Sequence, residues 1–209
     1  MKHDNNHFFW PSFVDLLTGL FVVMLVLFVL SYKLLSEEKN KVYEKLKHYE
    51  EFTRIEKQIS ALDSSGYFVN KCGRHVLKID IMFDPNQSVI LEPYKDSLGK
   101  SGIFLKRFID SLLNMYEGKI KFLVVIEGNA ANTYDNKYPK DSNYGYKLSY
   151  DRALALYNLW RNYTDFYSTQ NDRVEILIAG SGFSGLCRET IEEKNKRFLI
   201  QIIPKVGDK

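Results

Sequence analysis

The chain has 209 residues, with 29 Lys and Arg against 26 Asp and Glu, and a formal net charge of +3. This near balance of charge argues against a nucleic-acid-binding surface. Its two cysteines and four histidines show none of the spacings typical of a metal site, so we expect no metal ion and no cofactor. No pair of nucleophile and base and no phosphate-binding loop is visible, and we expect no enzymatic activity.

A long apolar run covers residues 8–32 and contains a single charged residue, Asp15. Roughly 20 residues of helix cross a hydrocarbon core about 30 Å thick, whereas a signal-peptide core is shorter and is followed by a small-residue cleavage site. We therefore predict a transmembrane helix over residues 11–33, preceded by a tail over residues 1–10.

Two interpretations of Asp15 are open. Ser12 and Asp15 fit the S-x-x-D form of a capping box, in which the carboxylate only caps the start of a helix. If Pro11 lies in the first turn, however, Asp15 lies about 10 Å along the apolar run at a rise of 1.5 Å per residue. An ionised Asp at such depth costs at least ~2.5–3.5 kcal/mol, and the run contains no cation to pair with it. We favour a functional acid within the membrane, beside the small, polar pair Thr18 and Gly19.

The segment Phe9 to Thr18, FWPSFVDLLT, resembles the F-W-x-S-[FY]-x-D-L-[ML]-T segment of B subunits of ion-driven rotary motors. This family includes flagellar MotB and the ZorB subunit of the Zorya anti-phage system, and the Phe-Trp-x-Ser opening is closer to the Zorya type. The resemblance implies that Asp15 is the ion carrier. It also implies a homodimer inside a ring of five A subunits of the MotA or ZorA type.

Two features of the sequence predict opposite orientations of the chain in the membrane. Lys33, Lys39 and Lys41 follow the apolar run and only Lys2 precedes it, which by the positive-inside rule weakly places the C-terminal side in the cytoplasm. The resemblance implies instead a protein of the bacterial inner membrane with a cytoplasmic N-terminus and a periplasmic C-terminal domain. We follow the resemblance, because Glu and Lys are balanced after the run.

Residues 34–63 are rich in charge and contain no Gly or Pro, so we predict a charged helical linker there. Apolar residues recur at steps of three and four in two short heptad pieces that break near Phe52. A parallel pair of helices and a single amphipathic helix that leans on its own domain are both compatible with this pattern.

Residues 64–209 are predicted to form one α/β (α+β) domain in the order β-α-β-α-β-β. Alternating or continuous apolar runs indicate the strands, and apolar residues at helical spacing indicate the helices. The predicted strands are Val76 to Phe83, Ile120 to Ile126, Val174 to Ala179 and Phe198 to Ile203, and the predicted helices are Leu98 to Tyr116 and Leu148 to Tyr163.

Residues 75–204 resemble the OmpA-like peptidoglycan-binding domain. The matching motifs occur in the family's order: Phe83-Asp84 at a strand end, Ile126-Glu127-Gly128 for I-x-G, Leu148 to Ala153 for L-S-x-x-R-A, and Asn195-Lys196-Arg197 for N-R-R. The resemblance implies that the domain binds peptidoglycan.

One departure from the family concerns the ligand site. The family's H-T-D, whose aspartate helps to hold the diaminopimelate of the stem peptide, is here Asn129-Ala130-Ala131. The arginine of the motif is kept as Arg152 and could bind a peptide carboxylate. A substitute acid could come from the loop over residues 132–146. The candidate contacts are Arg152, Asn129, Asp135, Asp141, Asn195 and Arg197.

Cys72 and Cys187 are predicted to form a disulfide, because an exported domain meets an oxidising compartment and both cysteines flank strands that the resemblance places close together. Two separate buried thiols are the alternative.

These features together favour a peptidoglycan-anchored B subunit of a proton-driven rotary stator, of the Zorya type or of the flagellar MotB type. A passive tether from the inner membrane to the cell wall, in which Asp15 only caps its helix, is the main alternative. An ExbD-type energiser also has one membrane helix with an aspartate, but its periplasmic domain lacks the L-S-x-x-R-A motif.

Overall fold

A computed structural model describes residues 9–116, 120–132, 138–167 and 172–206. The chain divides into two compact units, Met1–Glu51 and Phe52–Lys209.

From Phe9 onward, the first unit consists of helix. α1 spans Phe9–Ile59, and the apolar side chains from Phe13 to Leu30 are all exposed. An 18-residue window of this helix reaches a mean hydropathy of 2.8, so α1 is long and apolar enough to cross a membrane. Such a length of exposed apolar surface is expected to be covered by lipid or by another helix.

The second unit is built on a five-stranded sheet. The strands are β1 (Phe68–Lys71), β2 (Arg74–Leu77), β3 (Ile120–Gly128), β4 (Val174–Gly180) and β5 (Phe198–Val206), in the spatial order β1-β2-β5-β3-β4. β3 and β4 pair in parallel, with Phe122 opposite Val174, and the other neighbours are antiparallel. The two long helices are α2 (Glu92–Met115) and α3 (Asn143–Thr164), and short 3₁₀ turns cover Ser60–Ser65 and Glu192–Asn195.

The core lies between the sheet and the two helices. Along β3, Phe122, Val124 and Ile126 alternate with more exposed residues and are fully buried, as expected for one covered face of a sheet. Leu105 of α2 and Trp160 of α3 are buried in the same cluster. The two parallel strands, β3 and β4, each end at a glycine, Gly128 and Gly180.

A Cβ at Gly128 or at Gly180 would collide with the backbone of α3 at Ser149 or Tyr150. The glycines therefore let the start of α3 pack directly on the ends of β3 and β4. This close approach fixes the position of Arg152, which lies one turn further along α3.

The predicted fold class, one apolar helix followed by an α/β sheet domain, is confirmed. From β2 onward, the order β-α-β-α-β-β is that predicted from the sequence. The structure adds the short strand β1, and β2 ends at Leu77 instead of continuing to Phe83. Ile81 and Phe83 are buried as the alternating pattern indicates, but residues 78–91 form no strand ladder.

Candidate functional site

A cavity of about 720 Å³ lies at the ends of the strands of the second unit. Its wall comes from the segment after β2, the segment after β3, the start of α3 and the segment between β4 and β5. The lining residues are Phe83, Asp84, Pro85, Asn86, Ala131, Asn132, Tyr138, Tyr144, Leu148, Arg152, Phe183, Glu193 and Lys196. This volume is within the range typical of ligand pockets, roughly 300–1,000 Å³.

Arg152 is the most deeply placed charged side chain of this cavity, with 3% of its surface exposed. Its Nε donates a hydrogen bond to the carbonyl oxygen of Gln87 at 3.1 Å, and its guanidinium lies over the ring of Phe83, 4.3 Å from the centroid. Within the described part of the chain, the two terminal nitrogens have no hydrogen-bond partner and no carboxylate forms an ion pair with them.

Burial lowers the pKa of the Arg152 guanidinium to about 10, and nearby Tyr144 acts in the opposite direction. The group is therefore still a cation at neutral pH. Burying a charge without an opposite partner is costly, on the order of several kcal/mol. An anionic ligand would offset that cost with a bidentate, charge-assisted contact to the two terminal nitrogens.

Three aromatic rings form one wall of the cavity. Tyr138 lies 4.9 Å from Tyr144 and 6.1 Å from Phe183 between ring centroids. The Tyr144 hydroxyl donates to the side-chain oxygen of Asn86, which joins the wall to the segment after β2. These contacts hold the start of α3 and the two neighbouring segments together around Arg152.

The structure gives three of the other predicted contacts internal partners. Asn195 is fully buried, and its side chain bonds the backbone N–H of Glu189 at 2.8 Å and the backbone carbonyl of Glu189 at 3.1 Å. Arg197 bonds the Glu189 carboxylate at 3.1 Å and the carbonyl oxygen of Cys187. The side-chain oxygen of Asn129 accepts a hydrogen bond from Ser181. These groups fold the segment between β4 and β5 onto the sheet, and none of them lines the cavity.

The two acidic candidates differ in placement. Asp141 is exposed and does not line the cavity, and Asp135 lies outside the described residues. Among the predicted contacts that the structure describes, Arg152 alone lines the cavity. Sequence reasoning missed Phe183 and Glu193, for which the sequence holds no signal, and it passed over Lys196, which lies within the Asn195-Lys196-Arg197 match.

A disulfide joins Cys72, in the turn between β1 and β2, to Cys187, with a Cα–Cα distance of 6.1 Å. Beside it, Lys71 forms an ion pair with Glu189 at 2.7 Å. Lys71, and after it Arg197, holds the pKa of the Glu189 carboxyl below its usual range. The disulfide and the ion pair thus join the β1–β2 turn to the segment between β4 and β5, which contributes Phe183, Glu193 and Lys196 to the cavity wall.

We expect the double variant Cys72→Ser, Cys187→Ser to unfold more readily, because the bond closes a loop with a sequence separation of 115 residues. The expected loss in the free energy of unfolding of the second unit is about 3–5 kcal/mol. Urea denaturation of the parent and of the variant, each with and without reductant, measures it. The bond would be refuted if both cysteines of the native parent protein can be alkylated and if the parent and the variant have the same urea midpoint of unfolding.

Asp15 lies six residues after Phe9 in α1, about 9 Å along the helix at 1.5 Å per residue. The first turn of α1 contains no acidic residue, and Asp15 has no hydrogen bond or ion pair with the rest of the described chain. Thr18, one turn later, bonds the carbonyl oxygen of Val14 at 2.7 Å. This position favours an acid inside the apolar run over a helix cap.

No protein-family model matches this chain, and no curated protein matches it in sequence. Similar solved structures include the C-terminal domain of Helicobacter pylori MotB, at 12% identity and a TM-score of 0.37, covering 63% of this chain and 88% of that one. The peptidoglycan-associated lipoprotein of Burkholderia pseudomallei is similar at 15% identity and a TM-score of 0.36, covering 60% and 88%. A putative MotB-like protein of Desulfovibrio vulgaris is similar at 11% identity and a TM-score of 0.38, covering 76% and 90%. At identities and TM-scores this low, the function of the chain has to be argued from its own residues.

Proposed function

We propose that this chain is the peptidoglycan-binding, membrane-anchored B subunit of a proton-driven rotary motor, of the Zorya anti-phage type. The observation that carries the wall-binding part is the buried guanidinium of Arg152, whose terminal nitrogens have no partner among the described residues and which lines a ligand-sized cavity. Such a cation fits a free peptide carboxylate, the group that cell-wall stem peptides expose.

The motor part of the proposal rests on α1. The helix is long and apolar enough to cross a membrane, and Asp15 is the one charged residue of its apolar run. The carboxylate takes a proton from one side, is neutral while it lies in the low-dielectric region, and releases the proton to the other side. One charge that crosses 100 mV supplies about 2.3 kcal/mol, which A subunits turning around a fixed axle can convert into work. We propose the bacterial inner membrane as its location, with the N-terminus in the cytoplasm and the second unit in the periplasm.

A passive tether would use the same cavity but leaves Asp15 only the role of a helix cap. The position of Asp15 nearly two turns into α1, with no acid in the first turn, favours the motor. Cosedimentation of the full chain in mild detergent with purified peptidoglycan tests the wall-binding part. We expect the chain to pellet, and a chain that stays in the supernatant would contradict it.

We further expect a parallel homodimer, because α1 continues beyond the apolar run with exposed apolar residues at heptad steps: Val42, Leu46 and Tyr49. In membranes, Leu46→Cys should form a cross-link between two copies under mild oxidation. Glu44→Cys is the matched control, since residue 44 lies on the opposite side of the helix from these three residues. Equal cross-linking at both positions, or a monomeric mass in mild detergent with the A partner present, would contradict the dimer.

A further inference from the structure

A covalent bond joins the segment between β4 and β5 to the edge of the sheet. The disulfide connects Cys187 of this segment to Cys72 in the β1–β2 turn. Both cysteines have the left-handed backbone conformation, with φ of 52° at Cys72 and 64° at Cys187, which residues other than glycine adopt only where their surroundings impose it. Because Cys72 is exposed, a thiolate in solution can approach the bond from that side. The bond is therefore accessible to reduction, after which the backbone of both residues can relax.

The residue after Cys187 starts a series of hydrogen bonds that leads toward the cavity. Arg188 donates a hydrogen bond to the carbonyl oxygen of Ala130 at 3.0 Å and forms an ion pair with Glu192 at 2.5 Å. The same Oε2 atom of Glu192 accepts a hydrogen bond from the backbone N–H of Asn132 at 3.0 Å. The segment that the disulfide holds is therefore bonded to the residues that follow β3.

Asn132 continues this series of bonds into the wall of the cavity. Its buried side chain donates a hydrogen bond to the carbonyl oxygen of Tyr138 at 2.8 Å and accepts one from the backbone N–H of Tyr138 at 3.4 Å. The ring of Tyr138 contacts the rings of Tyr144 and Phe183, and Asn132 and Tyr138 both line the cavity. The position of the aromatic wall therefore depends on the segment that begins at the disulfide.

Two noncovalent contacts near Cys187 remain when the disulfide is broken. The ion pair of Lys71 with Glu189 lies at the surface, where water and salt weaken it. The carbonyl oxygen of Cys187 still accepts a hydrogen bond from Arg197, but Arg197 lies at the other end of the same segment and does not connect it to the β1–β2 turn. Reduction should therefore loosen residues 187–192 locally while the sheet stays paired.

We propose that the Cys72–Cys187 disulfide is a redox switch of the cavity. The oxidised chain holds Asn132 and the aromatic wall in place for the ligand, and reduction releases them. In the reductive step a thiolate of a dithiol attacks one sulfur of the bond, and the second thiol of the same molecule then closes its own disulfide. The two cysteines take up two electrons and two protons and become thiols. The effect on ligand binding rests on the proposed peptidoglycan-binding function, whereas the change in the wall does not.

Hydrogen exchange of the full chain in mild detergent, before and after treatment with the dithiol dithiothreitol, tests the switch. We expect the backbone amide of Asn132 to exchange at least about tenfold faster in the reduced chain, because the carboxylate that accepts its hydrogen bond loses its support. The amides of β3, Ile120–Gly128, are the internal control and should keep their rate. The affinity for peptidoglycan, measured by cosedimentation of the same two preparations, should fall by about tenfold on reduction.

Three variants separate the disulfide from the hydrogen bonds that follow it. Glu192→Ala keeps the disulfide and removes the acceptor for Asn132, so the oxidised variant should show the exchange rate and the affinity of the reduced parent. Lys194→Ala changes an exposed residue of the same 3₁₀ turn and should behave like the parent in both states. The double variant Cys72→Ser, Cys187→Ser should match the reduced parent with and without dithiothreitol.

The outcomes separate the switch from the function on which its effect on binding rests. The switch is wrong if reduction or Glu192→Ala leaves the exchange of Asn132 unchanged, or if the oxidised and the reduced chain both pellet with peptidoglycan equally well. It is also wrong if the β3 amides accelerate together with Asn132, because that pattern means global unfolding. If the amide of Asn132 responds as expected and neither form pellets, the change in the wall stands and the proposed function is wrong.

Discussion

Asp15→Asn is expected to abolish function while the complex stays assembled. The amide keeps the size and polarity of the side chain but cannot take up and release a proton, so no ion crosses at this position. The expected loss is complete, because the run over residues 8–32 contains no second carboxylate to replace it. Phage protection, or motility if the chain serves a flagellar motor, is the functional readout, and co-purification with the A subunit is the assembly readout.

Two further variants sharpen this test. Asp15→Glu keeps an exchangeable proton and should keep part of the activity. Thr18→Ala removes a hydroxyl that, among the described residues, bonds only the helix carbonyl of Val14. Full activity of Asp15→Asn would leave Asp15 with a structural role alone and would favour the passive tether.

Arg152→Met is expected to reduce the affinity for peptidoglycan by at least about tenfold, because a charge-assisted contact contributes roughly 1.5–3 kcal/mol. The free energy of unfolding should change much less than the free energy of binding to peptidoglycan. Methionine fills a similar volume and removes a buried, unpaired charge, which offsets the loss of the bond to Gln87. Cosedimentation with purified peptidoglycan and urea denaturation of the same preparations measure the two effects.

Arg161→Met is the matched control for this variant. Arg161 lies on the same helix, is exposed, and has its guanidinium 5.8 Å from the ring centroid of Tyr157, outside the cavity. The Arg161→Met variant should pellet with peptidoglycan as the parent protein does. If Arg152→Met also pellets like the parent, the guanidinium does not contact the wall and another envelope ligand must be sought.

The elements with strong apolar patterns could be predicted from the sequence. β3, β4 and β5 appear as runs rich in Val, Ile and Leu, and α2 and α3 have apolar residues at helical spacing, since one covered face imposes these patterns. β1 was not predicted, because its four residues carry too little alternation. The predicted strand extends to Phe83, whereas β2 ends at Leu77. Ile81 and Phe83 are buried, and a buried position favours an apolar residue whether or not its backbone pairs in a sheet.

Residues of the candidate site could be predicted only where they occupy a fixed position of a sequence motif. Arg152 is predicted by the match of Leu148 to Ala153 to L-S-x-x-R-A, and the glycines at the strand ends fix the place of this part of α3. Asn195 and Arg197 occupy motif positions, yet their partners are backbone and side-chain atoms of Cys187 and Glu189, which spacing along the chain does not reveal. Glu193 reaches the cavity through the path of a long irregular segment that no periodic pattern describes.

The composition of the particle that this chain forms in its native membrane tests the proposed motor most directly. We expect purification in mild detergent, followed by native mass spectrometry, to give two copies of the chain inside a ring of five copies of one polytopic A subunit. Recovery of the chain without any second membrane protein, with Asp15→Asn behaving like the parent protein, would contradict the proposed motor.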